Sequence, residues 1–154
     1  YAKLHSEAGY APGKSKLALW TYVAETEAEA RAGAERYMVE YADSALRHYE
    51  LLGSHLGKIK GYESYGAVQD ALSSDPTPFL RGFFNEHPWG TPEMVIERTT
   101  ELAQQFGVDE ISFIFKYGSM PIEEAEQSMR LFAKEVLPEI KKIDTHPIAI
   151  RDAA

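Results

Sequence analysis

Residues 16–29 read Lys16-Leu17-Ala18-Leu19-Trp20-Thr21-Tyr22-Val23-Ala24-Glu25-Thr26-Glu27-Ala28-Glu29, and the change of pattern inside them decides the fold class. Lys16 to Val23 is mostly apolar and rich in aromatic and branched side chains, with no clean alternation of polar and apolar positions. Such a run reads as a strand buried on both faces, as in parallel sheets. Thr26 then offers a hydroxyl N-cap, and Glu27 and Glu29 place negative charge in the first turn. The Thr26–Glu29 spacing completes a capping-box pattern. A buried strand leading directly into a capped helix is half of a βα crossover. No Pro interrupts the chain from there to about Leu52, so one long helix is expected. Tyr37, Tyr41, Ala45 and His48 or Tyr49 recur at helical spacing, and Gly33 is a weak point costing ~1 kcal/mol against Ala.

The same grammar returns in the final third. Thr91-Pro92-Glu93 is a helix start, and Val95, Thr99, Leu102 and Phe106 form one apolar stripe ended by Gly107. Ile111-Ser112-Phe113-Ile114-Phe115 is a second strand, followed by a turn at Tyr117-Gly118-Ser119-Met120-Pro121. Ala125, Met129, Phe132 and Val136 make a further stripe, with Pro138 as the helix stop. Between these halves, residues 53–78 form a long insertion punctuated by Gly53, Gly57, Gly61 and Gly66, read as flexible. Short helical turns are expected near Ala67–Leu72 and Pro78–Asn85. The class is therefore α/β with parallel strands and helical crossovers. Two strands cannot close a parallel sheet. A (β/α)8 TIM-type barrel needs eight strands and about 250 residues. Residues 1–154 are expected to be one partial domain, the helix-rich C-terminal segment of such a barrel. The start at Tyr1 without Met, with no signal-peptide pattern, fits that expectation.

Composition narrows the function classes. Apolar residues make up 44% and charged residues 26% of 154, which is enough apolar content to build a core. Sixteen Lys and Arg against 24 Asp and Glu give −8, unsuited to nucleic acid or anionic membrane surfaces. No run reaches the ~18 apolar residues of a membrane span. The absence of cysteine excludes thiolate nucleophiles, disulfides and Cys-ligated zinc, and suits a cytoplasmic protein. No Gly-x-Ser-x-Gly elbow surrounds Ser112, Ser119 or Ser128, and no P-loop or Gly-x-Gly-x-x-Gly occurs. Among His5, His48, His55, His87 and His146, only His48 and His55 share a helical spacing, and no third ligand joins them, so no metal site is expected. His87-Pro88-Trp89 reads as loop packing. Glu123-Glu124-Ala125-Glu126 reads as a helix N-terminus favoured by the dipole, not a catalytic carboxylate pair.

Several stretches together resemble a known family. Gly90-Thr91-Pro92-Glu93, Gly107-Val108-Asp109 and Phe115-Lys116-Tyr117-Gly118 are similar to the C-terminal region of luciferase-like flavin monooxygenases. Ser128-Met129-Arg130-Leu131-Phe132-Ala133-Lys134-Glu135-Val136-Leu137-Pro138 resembles that family's last barrel helix. Tyr22-Val23-Ala24-Glu25-Thr26 with Glu29-Ala30-Arg31 looks like its strand-to-helix passage after the sixth strand. The resemblance implies a barrel that binds reduced FMN supplied by a reductase, reacts it with O2 and oxygenates a small organic substrate. Some relatives use the deazaflavin F420 for hydride transfer instead. It also implies a flavin-phosphate site upstream of these residues and, in many members, a homodimer. A non-catalytic half-barrel subunit that pairs with a partner chain is the rival from another class.

Barrel active sites lie at the C-terminal ends of strands. Tyr22 after the first strand, and Phe115, Lys116 and Tyr117 after the second, are therefore candidate pocket residues. Tyr62 and Tyr65 are candidate lid residues on the insertion. Each has a plainer reading: barrel core for Tyr22, Phe115 and Tyr117, surface pins for Tyr62 and Tyr65, and an outward-turned ammonium for Lys116. No catalytic or cofactor-binding residue is assigned.

Overall fold

The structure, a computed structural model, describes residues 2–10 and 14–143. Tyr1, the Pro12-Gly13 part of the lead-in and His146 lie outside the described residues. After a short helix α1 (Ala2–Glu7), the order is β1 (Lys16–Trp20), β2 (Tyr22–Val23), α2 (Glu27–His48), a 3₁₀ turn (Leu56–Lys58), α3 (Ser64–Ser74), α4 (Thr77–Glu86), β3 (Trp89–Gly90), α5 (Pro92–Phe106), β4 (Glu110–Ile114), α6 (Ile122–Leu131), a π-helical turn (Phe132–Val136) and α7 (Leu137–Ile140). The chain is mixed α/β and helix-rich, with small parallel sheets.

Both strand pairs are parallel. Lys16 lies opposite Glu110 and Trp20 opposite Ile114 in one, and Tyr22 opposite Trp89 and Val23 opposite Gly90 in the other. Successive amides of an extended chain point to opposite edges. Thr21 N accordingly donates to the Ile114 carbonyl at 2.9 Å, and Tyr22 N to the Pro88 carbonyl at 3.2 Å. The 16–23 strand thus runs between β4 and β3. Among the described residues the far edge of β4 has no strand partner, and a closed barrel is not present.

Helices cover both faces of this strand. Trp20, Tyr22 and Ile114 pack with Ala30, Ala34, Tyr37 and Met38 of α2. Val23, Phe113 and Phe115 pack on the other face against Val95 and Ile96 of α5 and against Phe132 and Val136.

The Thr26 cap forms as its spacing predicts: Glu29 N donates to Thr26 Oγ1, and that hydroxyl donates to Glu29 Oε2 at 2.8 Å. The buried stripe of α2 differs from the one read in the sequence. Ala34, Met38, Ala42 and Leu46 are buried at a spacing of four, whereas His48 and Tyr49 are exposed. The helix ends at His48, short of Leu52, where Glu50 takes a positive φ of 53°. Small side chains let α2 sit close to the strand, so alanines form much of the seam that aromatic positions alone would misplace. Phe106 and Met129 are likewise exposed, their expected core places being taken by Ala103 and Ser128.

The insertion is more ordered in architecture than its glycines imply. Gln69 is fully buried on α3, accepting from Leu56 N at 3.1 Å and donating to the Glu50 carbonyl at 3.1 Å. One amide thereby ties the 3₁₀ turn and the end of α2 to α3. Gly57 and Gly66 have another use: a Cβ on Gly57 would stand 2.7 Å from Gly66 Cα. Their lack of side chains lets the turn rest on the helix backbone.

Pro138 does not stop the last helix. The helix widens to a π turn over Phe132–Val136 and resumes as α7, with Pro138 in its first turn. A proline inside an α-helix removes one donor and crowds the carbonyl four residues back, here that of Lys134; a local π turn accommodates both effects.

Candidate functional site

Where β2 ends, α2 and the start of α6 flank an open cleft of about 1050 Å³. Its floor comes from three elements: Tyr22 on β2, Gly33 and Tyr37 on α2, and Glu124 and Ser128 on α6. Tyr22 points across α2 at the one place where that helix has no side chain. A Cβ on Gly33 would lie 2.3 Å from Tyr22 Cζ. Gly33, expected as a weak point, is therefore required by the packing of Tyr22.

Beyond Gly33 the Tyr22 hydroxyl donates to Glu124 Oε1 at 2.5 Å, and the Tyr37 hydroxyl donates to Glu124 Oε2 at 2.7 Å. One carboxylate thus accepts from two phenols, both of them buried side chains. Burial first, and then the bond to Glu124, push the Tyr22 phenol well above its ordinary range. For Tyr37 the hydrogen bond to Glu124 is the leading cause of a rise. Both causes disfavour the phenolate, so the pair stays protonated and donating. Alongside, the buried Val23 N donates to Ser128 Oγ at 2.8 Å, so α6 continues on the edge where β4 has ended.

The rim is mixed in charge. Glu25, Glu29 and Glu123 face Arg36, Arg130 and Lys134. Arg130 is engaged by Glu126 at 2.6 Å and Lys134 by Glu135 at 2.6 Å. Arg36 lies over the Tyr37 ring, 5.2 Å from its centroid.

A second feature adjoins the strand on the other side of Tyr41. Trp20 packs against Tyr41, Phe83 and His87 with ring centroids 5.2, 5.3 and 5.1 Å apart. Burial, with a smaller contribution from Arg98, pushes His87 down to about 4, and its Nδ1 is buried without a hydrogen-bond partner.

Of the side chains singled out from sequence, Tyr22 lines the cleft. Tyr117 is buried beside it, donating to the Thr21 carbonyl at 3.2 Å, and burial raises its phenol. Phe115 faces the opposite core, against Phe132. Lys116 is exposed, its Nζ 3.3 Å from the Gly118 carbonyl. Tyr62 and Tyr65 sit together on the insertion, half exposed, with ring centroids 5.6 Å apart. Glu124, Tyr37 and Ser128 were not singled out as site residues. Their sequence signal is only a helix first turn and helical periodicity, and nothing local indicates that three distant segments meet. Among the described residues no three His, Cys, Asp or Glu side chains gather as a metal site, and no helix is long and apolar enough to cross a membrane.

Solved structures similar to this chain include two monooxygenases. Monooxygenase RslO1 from Streptomyces bottropensis matches 90% of it at 26% identity, with a TM-score of 0.56. The oxygenating constituent of 3,6-diketocamphane monooxygenase from Pseudomonas putida, a type II Baeyer–Villiger monooxygenase solved in complex with FMN, matches 91% at 19% identity, with a TM-score of 0.51. The chain covers 35% of the first and 38% of the second, about a third of each. No family model and no curated protein matches it. The fold is thus one seen within monooxygenases, one of them solved with FMN.

Proposed function

We propose that this chain is the C-terminal portion of a flavin-dependent monooxygenase that oxygenates a small organic substrate with reduced FMN and O2, the flavin being reduced by a separate reductase. The observation that carries the reading is the structural match over nine-tenths of the chain to monooxygenases, one of them holding FMN. The sequence motifs of the strand ends and of the last helix point the same way. The aromatic candidates at the strand ends, of which Tyr22 lines the cleft, favour a small, apolar substrate.

The residues present do not suit FMN's phosphate. A phosphate is held by clustered N–H donors or guanidinium groups. In the cleft, Arg130 and Lys134 are engaged by carboxylates, Arg36 lies over the Tyr37 ring as a single guanidinium, and Glu25, Glu29, Glu123 and Glu124 would repel the dianion. In the proposed reading the phosphate is bound by other parts of the protein. When bound, the flavin supplies the oxygen chemistry. This chain contributes the ends of two barrel strands and the aromatic walls that exclude water.

The unpaired far edge of β4 favours one further component of the reading: a complementing strand, from the rest of a barrel or from a partner chain, which includes the option of a non-catalytic subunit. The test is the intact mass of the protein purified from its source, with titration of FMN and of F420 followed by visible absorbance. A mass well above 17.3 kDa with saturable FMN binding is expected. Binding of F420 alone replaces the cofactor, and a 17.3 kDa protein that binds neither overturns the enzyme reading in favour of the subunit.

A further inference from the structure

We propose that the aromatic side chains from Trp20 through Tyr41 and Tyr117 to Tyr22 and Tyr37 carry oxidising equivalents away from the sheet, and that Glu124 accepts the proton where they come to rest. The cell's use of this path rests on the monooxygenase reading, which brings O2 chemistry to the strand ends; the path itself does not.

The rings form a near-continuous series. Trp20 and Tyr41 have centroids 5.2 Å apart, Tyr41 and Tyr117 6.2 Å, and Tyr22 and Tyr37 6.4 Å. Tyr117 bridges to the last pair through its hydrogen bond to the Thr21 carbonyl, one residue before Tyr22. Trp20, Tyr22, Tyr37, Tyr41 and Tyr117 share one packed cluster.

Packing alone does not call for the end of this series. Phenylalanine at 22 and 37 would fill nearly the same volume without drawing a carboxylate into a part-buried position, where its desolvation is unfavourable. The hydroxyls and Glu124 are instead matched, one oxygen to each phenol, at 2.5 and 2.7 Å. A phenol that loses an electron becomes a strong acid. Here its proton has an acceptor already in place along an existing hydrogen bond, so electron and proton can leave together.

An oxygen-derived one-electron oxidant takes an electron from Trp20. The tryptophan cation is refilled through Tyr41 and Tyr117 from Tyr22 or Tyr37. That phenol becomes a neutral radical as its O–H bond breaks and the proton moves to a Glu124 oxygen. A soluble one-electron reductant, such as a thiol, restores the phenol, and the proton returns.

The chain has no cysteine, so one introduced cysteine directs a label to a single place. Ala18 is exposed and lies two residues before Trp20 on the same strand face. A ruthenium polypyridyl photo-oxidant is attached through Ala18→Cys in the protein as isolated, any native cysteine elsewhere being replaced. It is flashed with an irreversible electron acceptor and no flavin present. A neutral tyrosyl radical is expected, mapped to Tyr22 or Tyr37 by mass spectrometry of its trapped product. Tyr22→Phe with Tyr37→Phe loses it. Glu124→Gln, which keeps a hydrogen-bond acceptor but not a base, slows its formation roughly 10²-fold, the lower end of what a positioned proton acceptor contributes. Where Glu124→Gln does not fold, a slowing in D2O and a slower rise in Tyr41→Phe read the same path in a folded protein. A radical of unchanged yield and rate in these variants, or one confined to exposed tyrosines, overturns the proposal. Because flavin takes no part, that failure is separate from a failure to bind FMN.

Discussion

Replacing Gly33 by Ala inverts the usual rule for glycine in a helix. Ala is ordinarily better by ~1 kcal/mol at a helix interior position. Here the added methyl would stand 2.3 Å from Tyr22 Cζ and 2.4 Å from its hydroxyl oxygen, distances no side chain tolerates. The Tyr22 ring must move, and it is the buried end of the bond to Glu124. Overpacking costs about 1–3 kcal/mol, and loss of a hydrogen bond to a charged group about 1.5–3 kcal/mol. Less the helix gain, Gly33→Ala is expected to destabilise by about 1.5–5 kcal/mol, or roughly 3–20 °C in Tm for a chain of this size. Urea and thermal unfolding followed by circular dichroism measure the change. The same substitution in a Tyr22→Ala background removes the clash and should stabilise by up to ~1 kcal/mol. Equal effects in the two backgrounds, or a Gly33→Ala chain as stable as the parent, would refute the packing argument.

Three further outcomes follow from other contacts. His87 is held neutral with its titration pushed down to about 4, so between its unfolded value near 6.5 and that point the unfolded chain binds the extra proton. Its contribution is complete above pH 6.5 and is lost as pH falls toward 4, by roughly 2–3 kcal/mol. His87→Phe should flatten that part of the stability–pH curve, and a curve of unchanged slope would count against it. Ser128→Ala leaves the buried Val23 N–H without its acceptor and should cost about 1–3 kcal/mol, with faster hydrogen exchange at Val23. Gln69→Leu unties the 3₁₀ turn from α3; limited proteolysis should then cut faster within residues 50–62 while the rest of the chain is unaffected, and uniform protection would show that the amide is not what holds the segment.

Much of the fold was legible in the sequence because its signals are local. The unbroken apolar run of Lys16–Val23, the Thr26 cap, the Thr91-Pro92 start and the Gly107 stop each depend on a few neighbouring residues, and the structure places elements where they predict. The π turn ahead of Pro138 was not legible, since a proline reads as a stop unless the preceding turn can widen. Neither was β3, two residues long and defined only by its pairing with β2.

Side-chain identity along the chain thus determined the α/β class, the starts of α2 and α5, the end of α5 and the resemblance to flavin monooxygenases. It also placed Tyr22 at a strand end. Only the tertiary structure decided that Tyr22 crosses a missing side chain at Gly33 to reach a carboxylate 102 residues away, shared with Tyr37. The reason is one of range. Capping, periodicity and turn chemistry act within a turn of helix or a few strand residues, whereas the cleft is made where β2, α2 and α6 converge. Which of the two glutamates in the first turn of α6 meets the two phenols depends on the rotation of that helix against the strand, and packing sets that rotation.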